Sequence, residues 1–330
     1  MLRRMLAGAF AAIATLAAAQ PAPVLVDTDA GTDDLMAIAF LLAHPNVKID
    51  AITVVNGLAH VDAGARNVAR LLALAGRTDV PVFAGRGEPL RGMAEFPAEW
   101  RTISDELPGV TALPTAQRKT EVRPAADYLI DRLRQPNRPV RILALGPLTN
   151  LAEVLKREPS AVTAIEEIVI MGGALRVPGN LADGGLFKTS NKTAEWNMFI
   201  DPLAAQIVFR SGVKIRLIPL DATNTVPIGA EFLRDLESRA RSPLGRFVGQ
   251  VLKSDHEMIE QNLFYAWDPL AAAALLRPGI ADSIPLRVEV VQDPPEQGRS
   301  IAAVGRPNAR VALRADAAEF RRLFLDAFKQ

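Results

Sequence analysis

The chain contains no cysteine in 330 residues. Disulfides, thiolate metal sites, iron–sulfur clusters and a cysteine nucleophile are therefore excluded. Histidine is nearly as scarce, with His44, His60 and His256 the only three, and none stands at metal-ligand spacing from another. Any metal must then be held mainly by oxygen. Charge of one sign is also missing. Lys and Arg number 38 against 37 Asp and Glu, a formal net charge of +1, which leaves no electrostatic footprint for a nucleic acid polymer. Long apolar runs are absent too: Leu6–Ala17 is shorter than the ~20 residues that span a bilayer. Disorder is ruled out by an apolar fraction of 49%.

The N-terminal segment stands apart in composition. Arg3 and Arg4 precede the apolar run, and Ala17-Ala18-Ala19 supplies small residues after it. This is the pattern of a secretory signal peptide over residues 1–20, and it predicts a periplasmic or secreted protein with no stable membrane insertion after cleavage. A terminal helix or a membrane anchor is the plainer alternative. Arg3 and Arg4 are the only charges in the segment, so its removal leaves 36 basic residues against 37 acidic.

Residues 21–330 read as one catalytic domain. Short apolar runs alternate with amphipathic ones. Strands are expected at Val24–Asp27, Val47–Val55, Val80–Phe83, Val140–Leu145, Ile165–Met171, Val213–Leu220, Leu286–Val291 and Ala309–Leu313. Helices are expected at Asp33–Ala43, Asp62–Ala75, Pro124–Arg134, Asn150–Lys156, Pro202–Ser211 and Ala317–Phe328. This rhythm predicts an α/β fold with a mainly parallel, Rossmann-like central sheet flanked by helices. Residues 84–120 and 176–194 show no period and read as irregular. In such sheets ligands bind beyond the carboxyl ends of the strands, so the segments that follow strands are where the chemistry should lie.

The first of these is Asp27-Thr28-Asp29-Ala30-Gly31-Thr32-Asp33-Asp34. Four carboxylates in eight residues repel one another. A helix N-terminus welcomes acids and Thr32 can cap it, which accounts for Asp33 and Asp34. Capping leaves Asp27 and Asp29 unexplained. A hard divalent cation accounts for the whole set, since Ca²⁺ takes six to eight oxygen ligands. Asp268, before Pro269, is a second acidic candidate; by itself it also suits a turn. Glu195 and Asn197, two residues apart, share a face if extended.

These segments together resemble the nucleoside hydrolases, Ca²⁺ enzymes that cleave the N-glycosidic bond of ribonucleosides. The resemblance rests on the Asp27–Asp34 motif, Asn56, Leu145-Gly146-Pro147-Leu148-Thr149-Asn150, Met171-Gly172-Gly173, Ala194-Glu195-Trp196-Asn197 and Trp267-Asp268, and it spans nearly all of residues 21–330. It implies that Asp29 binds Ca²⁺ and takes a proton from the attacking water. It implies further that Asp34, Asp268 and the Leu145 backbone carbonyl are metal ligands. Asp33 would hold the ribose 2′-hydroxyl, and Asn56, Met171, Asn180, Glu195 and Asn197 the rest of the sugar. A homodimer is implied as well.

The leaving-group side resembles the purine-specific, inosine–adenosine–guanosine branch. Where the inosine–uridine branch has His before the distal Asp, this chain has Trp267. Phe96–Arg101, Asp221–Pro227 and Phe264–Asp268 read like the purine branch too. Trp100 and Trp267 would then stack a purine, and His256 would contact it. The expected activity is hydrolysis of purine ribonucleosides to base and ribose. A broad-specificity or pyrimidine hydrolase is the alternative within the family. Outside it stand an aspartate-nucleophile phosphatase of the haloacid-dehalogenase type, suggested by Asp27-x-Asp29, and a non-catalytic nucleoside-binding protein, suggested by the tryptophans and the leader.

Overall fold

The computed structural model describes residues 22–115 and 120–329. The expected signal segment lies outside the described residues. Among the described residues, nine strands form one sheet: β1 (Val24–Thr28), β2 (Ile49–Val54), β3 (Val82–Ala84), β4 (Val140–Ala144), β5 (Ile165–Met171), β6 (Ile215–Ile218), β7 (Ala281–Val290), β8 (Ser300–Ala303) and β9 (Ala309–Ala315). Their spatial order is β3-β2-β1-β4-β5-β6-β9-β7-β8. From β3 through β9 every pairing is parallel; β7 runs antiparallel to β9 and to β8. The mainly parallel sheet expected from the strand–helix rhythm is therefore present.

Alternation along the strands sorts side chains between the two faces. Val24 and Val26 of β1 enter one core cluster with Val169 and Met171 of β5. Leu25 enters the other, with Ile168 and Ile170. Burial on both faces explains why these strands read as unbroken apolar runs. Helices Thr32–Leu42, Pro243–Ser254, Trp267–Leu276 and Ala317–Ala327 cover the first face, and Ala125–Leu133, Thr149–Arg157 and Pro202–Arg210 the second.

Two helices matter most for the site. Thr32–Leu42 is apolar all round after Asp34 and is buried from Leu35 to Leu41, as a helix lacking a polar face must be. It packs along Trp267–Leu276, which is equally apolar. Asp33 and Asp34 lie in the first turn of one, and Asp268 in the first turn of the other. Among the described residues, no helix is long and apolar enough to cross a membrane.

The structure adds elements beyond the expected ones. The stretch read as irregular over 84–120 contains the helix Ala98–Glu106. Its Pro, Gly and charged flanks hid a short amphipathic pattern. Strand β8 was not expected, because four residues at an antiparallel edge carry too few alternations to read. Helices Ala230–Arg239, Pro243–Ser254 and Trp267–Leu276 were also not anticipated.

Candidate active site

Strand order reverses direction between β1 and β4, the neighbours from which the chain winds outward both ways. A crevice is expected beyond the carboxyl ends of strands at such a point. A cavity of about 540 Å³ opens there, lined by Asp29 after β1, Leu145 after β4 and Met171 at the end of β5.

Asp29 is buried and its Oδ2 accepts the Leu58 amide at 2.8 Å. Space around it is cleared by glycine. A Cβ at Gly57 would stand 2.0 Å from Asp29 Oδ2, and one at Gly146 would stand 2.8 Å from Asp29 Cβ. Asp34 Oδ2 accepts the Gly31 amide at 3.1 Å and its Oδ1 accepts the Thr28 hydroxyl. Asp27 does not reach the cavity. It accepts Thr53 Oγ1 at 2.6 Å and Asn150 Nδ2 at 2.8 Å, which ties β1 to β2 and to the helix after β4.

The acids are crowded. One oxygen each from Asp33, Asp34 and Asp268 lies within 4.8 Å of the others. Burial, then the charge of Asp34, pushes Asp29 and Asp268 well above the ordinary carboxylate range. The same two causes push Asp33 up to about 8. Asp268 Oδ1 is buried with no hydrogen-bond partner. An all-oxygen donor set, mutually repelling carboxylates and an orphaned buried oxygen suit a hard cation, which would supply the missing partner and favour the ionised forms. The acidic cluster can therefore hold a metal ion. Asp33, assigned by resemblance to the ribose, belongs geometrically to this cluster as well.

On the next side of the cavity, Glu195 caps the short helix Trp196–Ile200. Its Oε1 accepts the Asn197 amide at 2.9 Å, and its Oε2 accepts Gly173 N at 2.8 Å and Met198 N at 3.2 Å. Burial nevertheless raises its pKa, against the pull of those amides. Asn197 Nδ2 donates to the Leu145 carbonyl at 2.7 Å and to the Met171 carbonyl at 3.3 Å. The carbonyl expected to face a metal is thus also a hydrogen-bond acceptor. Asn180 Oδ1 accepts Trp196 N at 3.2 Å, a closeness that requires Gly179, where a Cβ would meet the Ala194 carbonyl at 2.0 Å.

The remaining wall is aromatic and aliphatic. Trp100, on Ala98–Glu106, meets Trp196 edge-on at 5.6 Å between ring centroids. Phe96 stacks on Trp196 at 4.7 Å. Trp267 packs against Phe264 at 5.1 Å and Tyr265 at 6.0 Å. Trp100, Trp267 and His256 all line the cavity. His256 is exposed, with Nδ1 at 3.2 Å from the Lys253 carbonyl.

The structure brings together every expected site residue except one. Asn56 is buried outside this cavity and lines a neighbouring one of about 230 Å³. The residue after β2 that faces the main cavity is Leu58. Residues two apart share a face in an extended segment, but the chain bends over residues 56–59, and that turn is invisible without the loop's path. Sequence reasoning also passed over Gly57, Trp196 as the hub of the aromatic cluster, and Asp255. A Gly directly after Asn56 was the available signal for the first.

Two kinds of comparison bear on this arrangement. The sequence profile described as inosine-uridine preferring nucleoside hydrolase matches residues 24–322. The chain belongs to this family. Uridine nucleosidase 1 of Arabidopsis thaliana is 33% identical over 261 residues, covering 78% of this chain and 74% of the relative. A plant nucleoside hydrolase structure superposes with a TM-score of 0.83 at 30% identity, covering 94% of this chain and 99% of the other. A purine-preferring ribonucleoside hydrolase from Gardnerella vaginalis gives 0.79 at 26%, covering 93% and 98%. The nucleoside hydrolase fold expected from the motifs is therefore present. The protein is a nucleoside hydrolase, an enzyme that hydrolyses the N-glycosidic bond of small nucleosides. The phosphatase and passive-binder alternatives drop out. The names of these relatives include both uridine and purine specificities, so membership alone does not choose the base.

Proposed function

We propose that this nucleoside hydrolase is Ca²⁺-dependent and prefers purine ribonucleosides, with Asp29 as its general base. The observation that carries the reading is the mixed lining of one cavity: buried carboxylates and amides, and the flat rings of Trp100 and Trp267. A nucleoside has the same division into a polyol and a flat ring.

Ca²⁺ held by Asp29, Asp34, Asp268 and the Leu145 carbonyl would orient vicinal hydroxyls and acidify water. Asp33, Asn180, Glu195 and Asn197 hold the sugar hydroxyls, and their own hydrogen bonds to backbone keep them in place. Asp29 accepts the proton of the attacking water, a role worth typically about 10²–10⁴-fold. Positive charge that develops on the sugar ring is stabilised by the fixed carboxylates beneath it. Trp100 and Trp267 bind the departing base by its faces, and stacking raises a purine's affinity for a proton from solvent. Pyrimidines offer less area for this.

A broad or uridine-preferring activity is the second reading, favoured by the similarity to a uridine nucleosidase. Rates on inosine, adenosine, guanosine, uridine and cytidine decide between them. The purine reading expects the three purine nucleosides to lead in kcat/KM; uridine equal to or ahead of inosine overturns it. The leader segment supports export, which fractionation of cells expressing the full chain would test.

A further inference from the structure

The hydrolytic steps above have no use for His60. It precedes helix Val61–Leu74, and its bonds run to the helix that carries Trp100. The His60 amide donates to Asp105 Oδ1 at 2.8 Å, and the ring Nδ1 stands 2.6 Å from Asp105 Oδ2. An ionised carboxylate only accepts, so Nδ1 carries the proton of this bond whether or not the ring is charged.

Asn67 lies about two turns further along the same face. It is buried, and its Nδ2 donates to the carbonyls of Ser104 at 3.0 Å and Asp105 at 3.1 Å. These carbonyls belong to the last turn of Ala98–Glu106, where a helix has no donors of its own to offer. Asn67 Oδ1 accepts Arg70 Nη1 at 3.1 Å, which fixes the sense of the amide. Helix Ala98–Glu106 depends on such bonds, because Ser104 is its single buried residue and apolar burial contributes little to holding it. Trp100 and Ser104 are one turn apart, and both line the cavity. A clasp on Ser104 and Asp105 therefore fixes where the indole stands in the cavity wall. The backbone just before His60 holds Asp29: the Leu58 amide donates to its Oδ2 at 2.8 Å and the Ala59 amide to its carbonyl at 3.0 Å. One short segment thus ties the Trp100 helix to the carboxylates, whereas the bond of the His60 ring goes to the helix.

We propose that His60 is a positioning residue, which with Asn67 and through Asp105 sets where Trp100 meets the bound base. The proposal rests on the nucleosidase reading and on the stacking role given there to Trp100.

The test is His60→Ala, which removes the ring bond and leaves the amides of residues 58–60 in place. The His60 side chain is 59% exposed and that of Asp105 21%, so the effect should lie between that of a surface ion pair and that of a buried bond to a charged group. KM for inosine should rise about three- to tenfold. Inhibition by D-ribose, which has no base to stack, should not change. In a Trp100→Ala background the same substitution should alter KM by less than about twofold, because a residue acting through Trp100 has nothing left to place. Asp105→Asn keeps an acceptor for the His60 amide and should raise KM less than Asp105→Ala does. An unchanged KM, weaker ribose inhibition, or an undiminished effect without Trp100 overturns the proposal. If the parent enzyme favours uridine, uridine replaces inosine. A parent that cleaves neither overturns the nucleosidase reading instead. Hydrogen exchange then tests the clasp apart from that reading: amides of residues 98–106 should exchange faster in His60→Ala, and unchanged exchange removes the clasp.

Discussion

The two ends of the cavity are built by different means. At the carboxylate end, Asp29 follows the central strand β1, and Asp34 and Asp268 begin two apolar helices packed along each other. Each carboxylate is placed by elements that run through the core. On the aromatic side, Trp100 rides on a nine-residue helix with a single buried position, and His256 opens a five-residue helix. Rigid elements fix position more closely than loops do, and loops accept change more readily. The proposed sugar side is thus anchored in the fold, while the proposed base side is split: Trp100 rides on a segment that can vary, and Trp267 opens the same core helix as Asp268. That division agrees with relatives that share this architecture and are named for different bases.

The sharpest way to break this contrast is at the carboxylate end. Asp29→Ala should lower kcat by about 10²–10⁴-fold with a melting curve that still shows a cooperative fold; retained turnover would remove Asp29 as the base. Chelation should abolish activity and lower the melting temperature, because a ligand that binds only the folded state contributes roughly 2.7 kcal/mol at a hundredfold excess over Kd. Indifference of both rate and melting to chelator and added Ca²⁺ would refute the metal assignment. Gly57→Ala probes the same end without removing a functional group. Its Cβ would collide with Asp29 Oδ2, and displacement of a base by about 1 Å can cost on the order of 10²-fold in rate.

Effects should shrink toward the aromatic end. Trp267→Ala removes one stacking face, worth about 1–3 kcal/mol. The loss should be greater on inosine than on p-nitrophenyl riboside, whose leaving group needs no protonation. Equal losses would reduce Trp267 to packing. Asn56→Ala should have the smallest effect of all, about threefold or less in kcat/KM, because its side chain lines the neighbouring cavity. A large loss on Asn56→Ala would return it to the sugar-binding set.

Much of the site could be read before the fold was known, for a local reason. Asp27 to Asp34 lie within eight residues, so their crowding is a property of the chain and demands an explanation wherever the segment goes. Strand β5 matched its expected limits, Ile165–Met171, because the apolar run Ile168–Met171 is closed at once by Gly172-Gly173. Asn56 shows the converse: it lines the neighbouring cavity because of the path of the loop after β2, which no local pattern fixes.

The sequence by itself determined the parallel α/β architecture, the oxygen-only character of any metal site and the concentration of acid beside β1. Each follows from short-range pattern or from residues that are missing. Only the tertiary structure decided which acids share space. It brought Asp268 to Asp33 and Asp34 across more than two hundred residues, because two helices without a polar face must bury against each other. It turned Asp27 inward to Thr53 and Asn150 and left Asp255 with an unpaired oxygen at the cavity. Hydrogen-bond satisfaction is a property of the assembled neighbourhood, which is why acids could be placed by pattern only where they were neighbours in the chain.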